Sequence, residues 1–171
     1  KDILNYRVEE NPDKIFIQYN NKEISYKIFN FMVNNAMNTI KSMNYRGQYI
    51  GIQINDTLKN LILIIAMNRC KKIPVLYPNY PNIKDYLSST NIPVLLKDQH
   101  INIDSKINNG TKKTIYDAYK TQLVLFTSGS TGKPKACKLT YNNFYHSAKQ
   151  WNEIIQFSKK DNLFIINGDL Q

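Results

Sequence analysis

Between residues 49 and 76 the chain sets one almost wholly apolar helix between two short apolar runs, and that order leaves few folds open. Residues 58–70 (LKNLILIIAMNRC) carry apolar side chains nearly all round, so this helix is expected to be buried. Asn55, Asp56 and Thr57 offer caps for its start. Residues 49–54 and 73–76 read as short strands on either side of it. Strands alternating with helices point to an α/β fold: a mostly parallel sheet with flanking helices.

The remainder of the chain fits that frame. Residues 2–10 suit a short opening helix, and 15–19 with 22–24 flank the turn-prone Asn20-Asn21 as a hairpin. Ser25 is an N-cap candidate, followed by Ile28, Phe29, Met32, Val33, Ala36, Met37 and Ile40 at three- and four-residue spacing. That spacing predicts an amphipathic helix ending near Asn44. The prolines at 78 and 81 break the chain; a helix over 82–88 and a strand over 92–96 follow. From 97 to 120 the pattern fades into polar residues, with a weak strand at 114–116. Residues 122–126 predict a strand, 142–155 a helix and 163–166 a last buried strand. Trp151 is expected to anchor the helix to the sheet.

Composition narrows the function classes. Of 171 residues, 42% are apolar, enough for a real core. Two cysteines, Cys70 and Cys137, and two histidines, His100 and His146, exclude a disulfide scaffold and a cysteine- or histidine-rich metal site. Both cysteines are expected to act as small core residues and His146 to be partly exposed. The net charge is +10, yet only three of the 23 basic residues are Arg, and the lysines are scattered. That reads as solvated surface, not a nucleic-acid face. Residues 46–51 lack the aromatic after Gly47 that would stack a base. The longest apolar run, 61–67, is about a third of what a membrane helix needs, and with no n-region and h-region in the first residues no signal peptide is expected. A reducing compartment is expected, bacterial cytoplasm or plastid stroma. Because the chain starts at Lys1 and stops just after an apolar run, it is expected to be part of a longer protein.

The chemistry concentrates in Thr127, Ser128, Gly129, Ser130, Thr131, Gly132, Lys133, Pro134 and Lys135. An apolar strand runs straight into four hydroxyls, two glycines and two lysines. Glycines let the backbone approach an anion and aim N–H groups at it; hydroxyls and lysines bind its oxygens. A polyphosphate suits this set. A Walker A loop needs four residues between its glycines, whereas Gly129 and Gly132 have two between them. A nucleophile elbow needs Gly where Ser128 stands.

This loop resembles the signature phosphate loop of the adenylate-forming superfamily: acyl- and aryl-CoA synthetases, peptide-synthetase adenylation domains and luciferases. Ser25-Tyr26 opening a helix is similar to the family's early helix. Residues 66–81 (AMNRCKKIPVLYPNYP) are similar to its buried helix, short strand and Pro-bounded loop. Residues 1–171 thus resemble the N-terminal part of the large AMP-binding (adenylation) domain, truncated at its C-terminal end, with no second domain. Two positions narrow the subfamily: Ala136 stands where most members have Gly, and Tyr141 where most have His. The run 140–148 (TYNNFYHSA) is similar to the pattern of 2-succinylbenzoate–CoA ligases of menaquinone or phylloquinone synthesis.

The resemblance implies a two-step ligase. A carboxylate attacks the α-phosphate of ATP to give an acyl-adenylate, and the thiol of CoA then displaces AMP. It implies that Thr127, Ser128, Gly129, Ser130, Thr131, Gly132, Lys133 and Lys135 hold the β/γ-phosphates. Thr131 would sit near Mg²⁺, and Lys135 would offset pyrophosphate charge as the catalytic lysine. Tyr141, Asn143 and Tyr145 are weaker candidates near the acid pocket, because residues at this helical spacing are more often packing residues. The expected partners are ATP, CoA and a small carboxylic acid, with no nucleic acid and no membrane span. One departure concerns the acid: residues 167–171 (NGDLQ) stand where the family has Pro-x-x-His. The fragment is expected to be inactive alone. The alternatives are another acyl- or aryl-CoA ligase, a carrier-protein-loading adenylation enzyme, or a non-catalytic basic binding module.

Overall fold

In a computed structural model, residues 2–79, 83–92, 95–100, 117–127 and 134–158 are described. Helix α1 (Ile3–Glu10) opens on Asp2, whose carboxylate accepts from the Asn5 amide at 3.2 Å. Strands β1 (Ile15–Tyr19) and β2 (Lys22–Ser25) form the expected hairpin. Asn20 and Asn21 have φ of 49° and 61°, the left-handed pair that a two-residue hairpin turn requires. Ser25 ends β2 and caps α2 (Tyr26–Ser42), accepting from the Ile28 amide at 3.3 Å.

The second sheet carries the rest: β3 (Tyr49–Gln53), β4 (Ile73–Leu76), β5 (Leu95–Lys97), β6 (Thr121–Thr127) and β7 (Lys135–Thr140). Its order is β5-β3-β4-β6-β7. The first four strands pair in parallel, and β7 lies antiparallel to β6. Between the parallel strands run α3 (Thr57–Arg69), capped by Asp56, and α4 (Ile83–Thr90). Helix α5 (Tyr141–Ile155) follows β7 directly.

Parallel strands must be covered on both faces, and the core divides accordingly. Phe29, Val33, Ala36 and Ile40 of α2 join Ile62, Leu63 and Met67 of α3 over Ile50, Ile52, Leu76 and Leu123. On the opposite face Ile73, Val75, Tyr77 and Val124 pack with Ile83, Tyr86 and Leu87 of α4. As expected from its sequence, α3 is buried.

Where α3 ends, Arg69 turns inward beside α1 and α2. Its guanidinium donates to both Asp2 carboxylate oxygens, at 2.8 and 3.1 Å, to Asn5 Oδ1 at 2.9 Å and to Asn30 Oδ1 at 2.7 Å. These acceptors satisfy a charge that would otherwise be costly to bury.

Two expectations need amendment. Strand β7 occupies residues for which the sequence predicts no strand, because the alternation of Ala136, Cys137, Lys138 and Leu139 is too short a run to announce one. Trp151 does not anchor α5: it is 59% exposed, and no residue of that helix is buried. Phe144, Tyr145, Ile154 and Ile155 are exposed with it, since no described element packs over that side. Of the strand expected over 92–96, β5 (Leu95–Lys97) carries the described part; residues 93 and 94 lie outside the described residues. Cys70 and Cys137 are half-buried, and His146 is exposed. The readings at 114–116 and 163–166 lie outside the described residues.

Replacing Arg69 with Ala strands the Asp2 carboxylate; urea denaturation is expected to show a loss of about 3–5 kcal/mol. Burial pushes the Cys70 thiol above its ordinary value. Because the thiolate is the reactive form, alkylation of Cys70 in a Cys137→Ser protein is expected to rise at higher pH than for a free thiol.

Candidate phosphate-binding hairpin

The site is built on β6 and β7. Strand β6 is paired on both edges, with β4 in parallel at Val75↔Val124 and with β7 from Thr121↔Thr140 to Thr127↔Lys135. The last of these pairs puts Thr127 and Lys135 opposite each other at the mouth of the hairpin. Paired antiparallel residues share a face, so the Thr127 hydroxyl and the Lys135 ammonium stem leave the sheet on the same side. Both residues are exposed, and no carboxylate among the described residues pairs with Lys135. The charge is therefore available to an anion at the mouth. Cys137 is on that face too, its sulfur 3.9 Å from Thr127 Oγ1.

Of the sequence-predicted phosphate residues, the structure brings Thr127 and Lys135 together. Ser128, Gly129, Ser130, Thr131, Gly132 and Lys133 lie outside the described residues. They connect the two positions just described.

The acid-pocket candidates are elsewhere. Five residue steps along β7 separate Lys135 from Thr140, about 17 Å at strand rise. Tyr141, Asn143 and Tyr145 begin α5 at that far end. Asn143 is engaged in a capping box: its Oδ1 accepts from the Thr140 amide at 2.8 Å, and its own amide donates to Thr140 Oγ1 at 3.3 Å. The Asn142 amide donates to Ala118 O at 2.9 Å, which ties this end to the segment before β6. Thr140 and Asn143, which carry part of the subfamily pattern, thus have a local reason to be there.

Sequence reasoning missed the support beneath the mouth. Phe126 stacks on Tyr77, ring centroids 5.2 Å apart at 30°, and meets Tyr86 of α4 edge-on at 5.1 Å and 83°. The Tyr77 hydroxyl hydrogen-bonds Thr90, and burial pushes its pKa up. An aromatic directly before the loop was the only local signal.

No family model matches the chain. In sequence it is similar to a plipastatin synthase from Bacillus subtilis (strain 168), 22% identical over 92% of this chain and 7% of that protein. It is also similar to the 2-succinylbenzoate–CoA ligase of Bacillus cytotoxicus, 25% identical over 80% of this chain and 32% of the ligase. The chain spans about a third or less of the curated relatives it matches. In fold it is similar to o-succinylbenzoate CoA synthetase (MenE) from Bacillus subtilis in complex with AMP. The TM-score is 0.79 at 17% identity, covering 92% of this chain and 47% of that one. The same synthetase with ATP and a magnesium ion aligns with TM-score 0.76 at 16% identity, over 92% of this chain and 38% of that one. The Klebsiella oxytoca NpsA N-terminal subdomain aligns with TM-score 0.68 at 19% identity, over 82% and 40%.

Asn143→Ala removes the reciprocal cap; thermal or urea unfolding is expected to show a loss of about 1 kcal/mol.

Proposed function

We propose, for a chain whose relatives are adenylate-forming enzymes and whose fold is that of their N-terminal subdomain, that the full-length protein activates a carboxylic acid with ATP. The observation that carries this reading is the Thr127↔Lys135 pair, which closes the Ser/Gly/Thr/Lys loop at the end of a buried strand. In this reading the acid carboxylate attacks the α-phosphorus, pyrophosphate leaves and an acyl-adenylate forms. Lys135 and the Thr127 hydroxyl meet the β/γ-phosphates, where negative charge gathers as pyrophosphate departs. Fixed donors at that point lower the barrier because they need no reorganisation. Ser128, Gly129, Ser130, Thr131, Gly132 and Lys133 complete the cradle. A bound magnesium ion would offset phosphate charge, with Thr131 the residue proposed beside it.

The finer reading is that the acid is 2-succinylbenzoate and that CoA thiol then displaces AMP. The 140–148 run and the similarity to two enzymes of that name support it. Tyr141, Asn143 and Tyr145 are assigned to the acid on that motif alone. Residues 1–171 would form the N-terminal part of the adenylation domain, with the remaining contacts to nucleotide supplied by other parts of the protein. A second reading, a carrier-protein-loading adenylation enzyme, is favoured by the similarity to plipastatin synthase and bacitracin synthase.

ATP–pyrophosphate exchange by the full-length protein separates these readings. Exchange with 2-succinylbenzoate alone is the expected result. Exchange with an amino acid would move the protein to the loaders, and exchange with benzoate or a medium-chain fatty acid to other acid–CoA ligases. No exchange with any of them would overturn the reading. Lys135→Ala is expected to lower exchange by about 10²–10³-fold.

A further inference from the structure

Strands β4 and β6 run in parallel register at Val75↔Val124. Carried forward two residues, that register sets Tyr77 opposite Phe126, at the end where β6 delivers Thr127. Among the described residues Val75↔Val124 is the only ladder position joining these strands, and the Tyr77 amide is bonded to Ile52 O on the other side, at 2.8 Å. The sheet's backbone therefore does not hold β4 to the last residues of β6. The rings do: Phe126 lies on Tyr77 at 5.2 Å and under the edge of Tyr86 at 5.1 Å. Tyr77 is 3% exposed and is bonded through its hydroxyl to Thr90 at the end of α4. Tyr86 sits one helical turn earlier on the same helix. So α4 grips both members of the stack.

We propose that Tyr77, Tyr86 and Phe126 form an aromatic brace that positions the Thr127–Lys135 pair, and with it the donors offered to the nucleotide phosphates. They are positioning residues: none is placed on the nucleotide. Phe126 lies on the α4 face of β6, whereas Thr127 and Lys135 lie on the other face, so the brace acts through the backbone of β6. The proposal rests on the phosphate reading above for its ligand, and not for its geometry.

The test is exchange kinetics on the full-length protein with Tyr86→Ala and Tyr86→Phe, using whichever acid the wild type accepts. An aromatic pair of this kind is worth about 1 kcal/mol, or about fivefold. Tyr86→Ala is expected to raise the KM for ATP about fivefold, to leave the KM for the acid within about twofold, and to be rescued by Tyr86→Phe. An unchanged KM for ATP, or an equal rise in both, overturns the brace. Tyr77→Phe, which removes only the hydroxyl bond to Thr90, serves if Tyr86→Ala does not fold; it is expected to raise the KM for ATP in the same selective way, and no change overturns the proposal. If the wild type exchanges with no acid, the functional reading fails and the brace is read on Cys137, beside Thr127. Iodoacetamide then labels Cys137 faster in Tyr86→Ala than in the wild type, with Cys70 unchanged; equal Cys137 rates overturn the proposal.

Discussion

Strand β6 is the element on which the rest depends, because among the described strands it is the one where the sheet changes direction. On one edge it runs parallel to β4, and on the other antiparallel to β7. A parallel neighbour needs a long crossover, whereas an antiparallel neighbour needs only a hairpin. Among the described strands of this sheet, the chain therefore returns on itself as a hairpin only where β6 ends. That return carries the hydroxyls, glycines and lysines. A hairpin also forces its two roots opposite each other, so Thr127 and Lys135 are brought together by backbone pairing and need no attraction between their side chains.

The parallel half supplies rigidity. Leu123 and Val124 of β6 are buried on opposite faces, under α3 and α4 respectively. The strand is thus fixed from both sides before it reaches the mouth. Arg69 adds a second constraint remote from the site. By joining the start of α1 to the end of α3, with Asn30 of α2 alongside, it links the first residues of the chain to the helix that covers the sheet. In a buried ion pair of this kind desolvation offsets much of the attraction, so what matters most is that neither partner is left unpaired.

What could be read locally was read well where the signal was itself local. The caps at Asp56 and Ser25, the Asn20-Asn21 turn and the α2 stripe each depend on residues within a few positions of one another, and each is found as expected. The proposed phosphate-binding residues form a signal of the same local kind, nine consecutive residues from Thr127 to Lys135. Strand β7 was not, because a six-residue strand bordered by Pro134 and a helix cap has little pattern of its own. Trp151 misled because a large aromatic on an amphipathic helix is ordinarily a core residue, and burial depends on what lies over the helix.

By itself, then, the sequence determined the alternation of strands and helices, the points where most of them begin, and the concentration of hydroxyls, glycines and lysines in residues 127–135. Those are properties of neighbouring residues: caps, turn chemistry and periodicity. Tertiary structure alone decided that β7 returns antiparallel, that Arg69 meets Asp2 across 67 positions, and that Phe126 rests between Tyr77 and Tyr86. It also decided that the start of α5 stands a strand's length from Lys135. Such pairings follow from how strands are ordered in the sheet, and that order is set by the competition among all the faces that must be buried at once, which no short stretch of sequence contains.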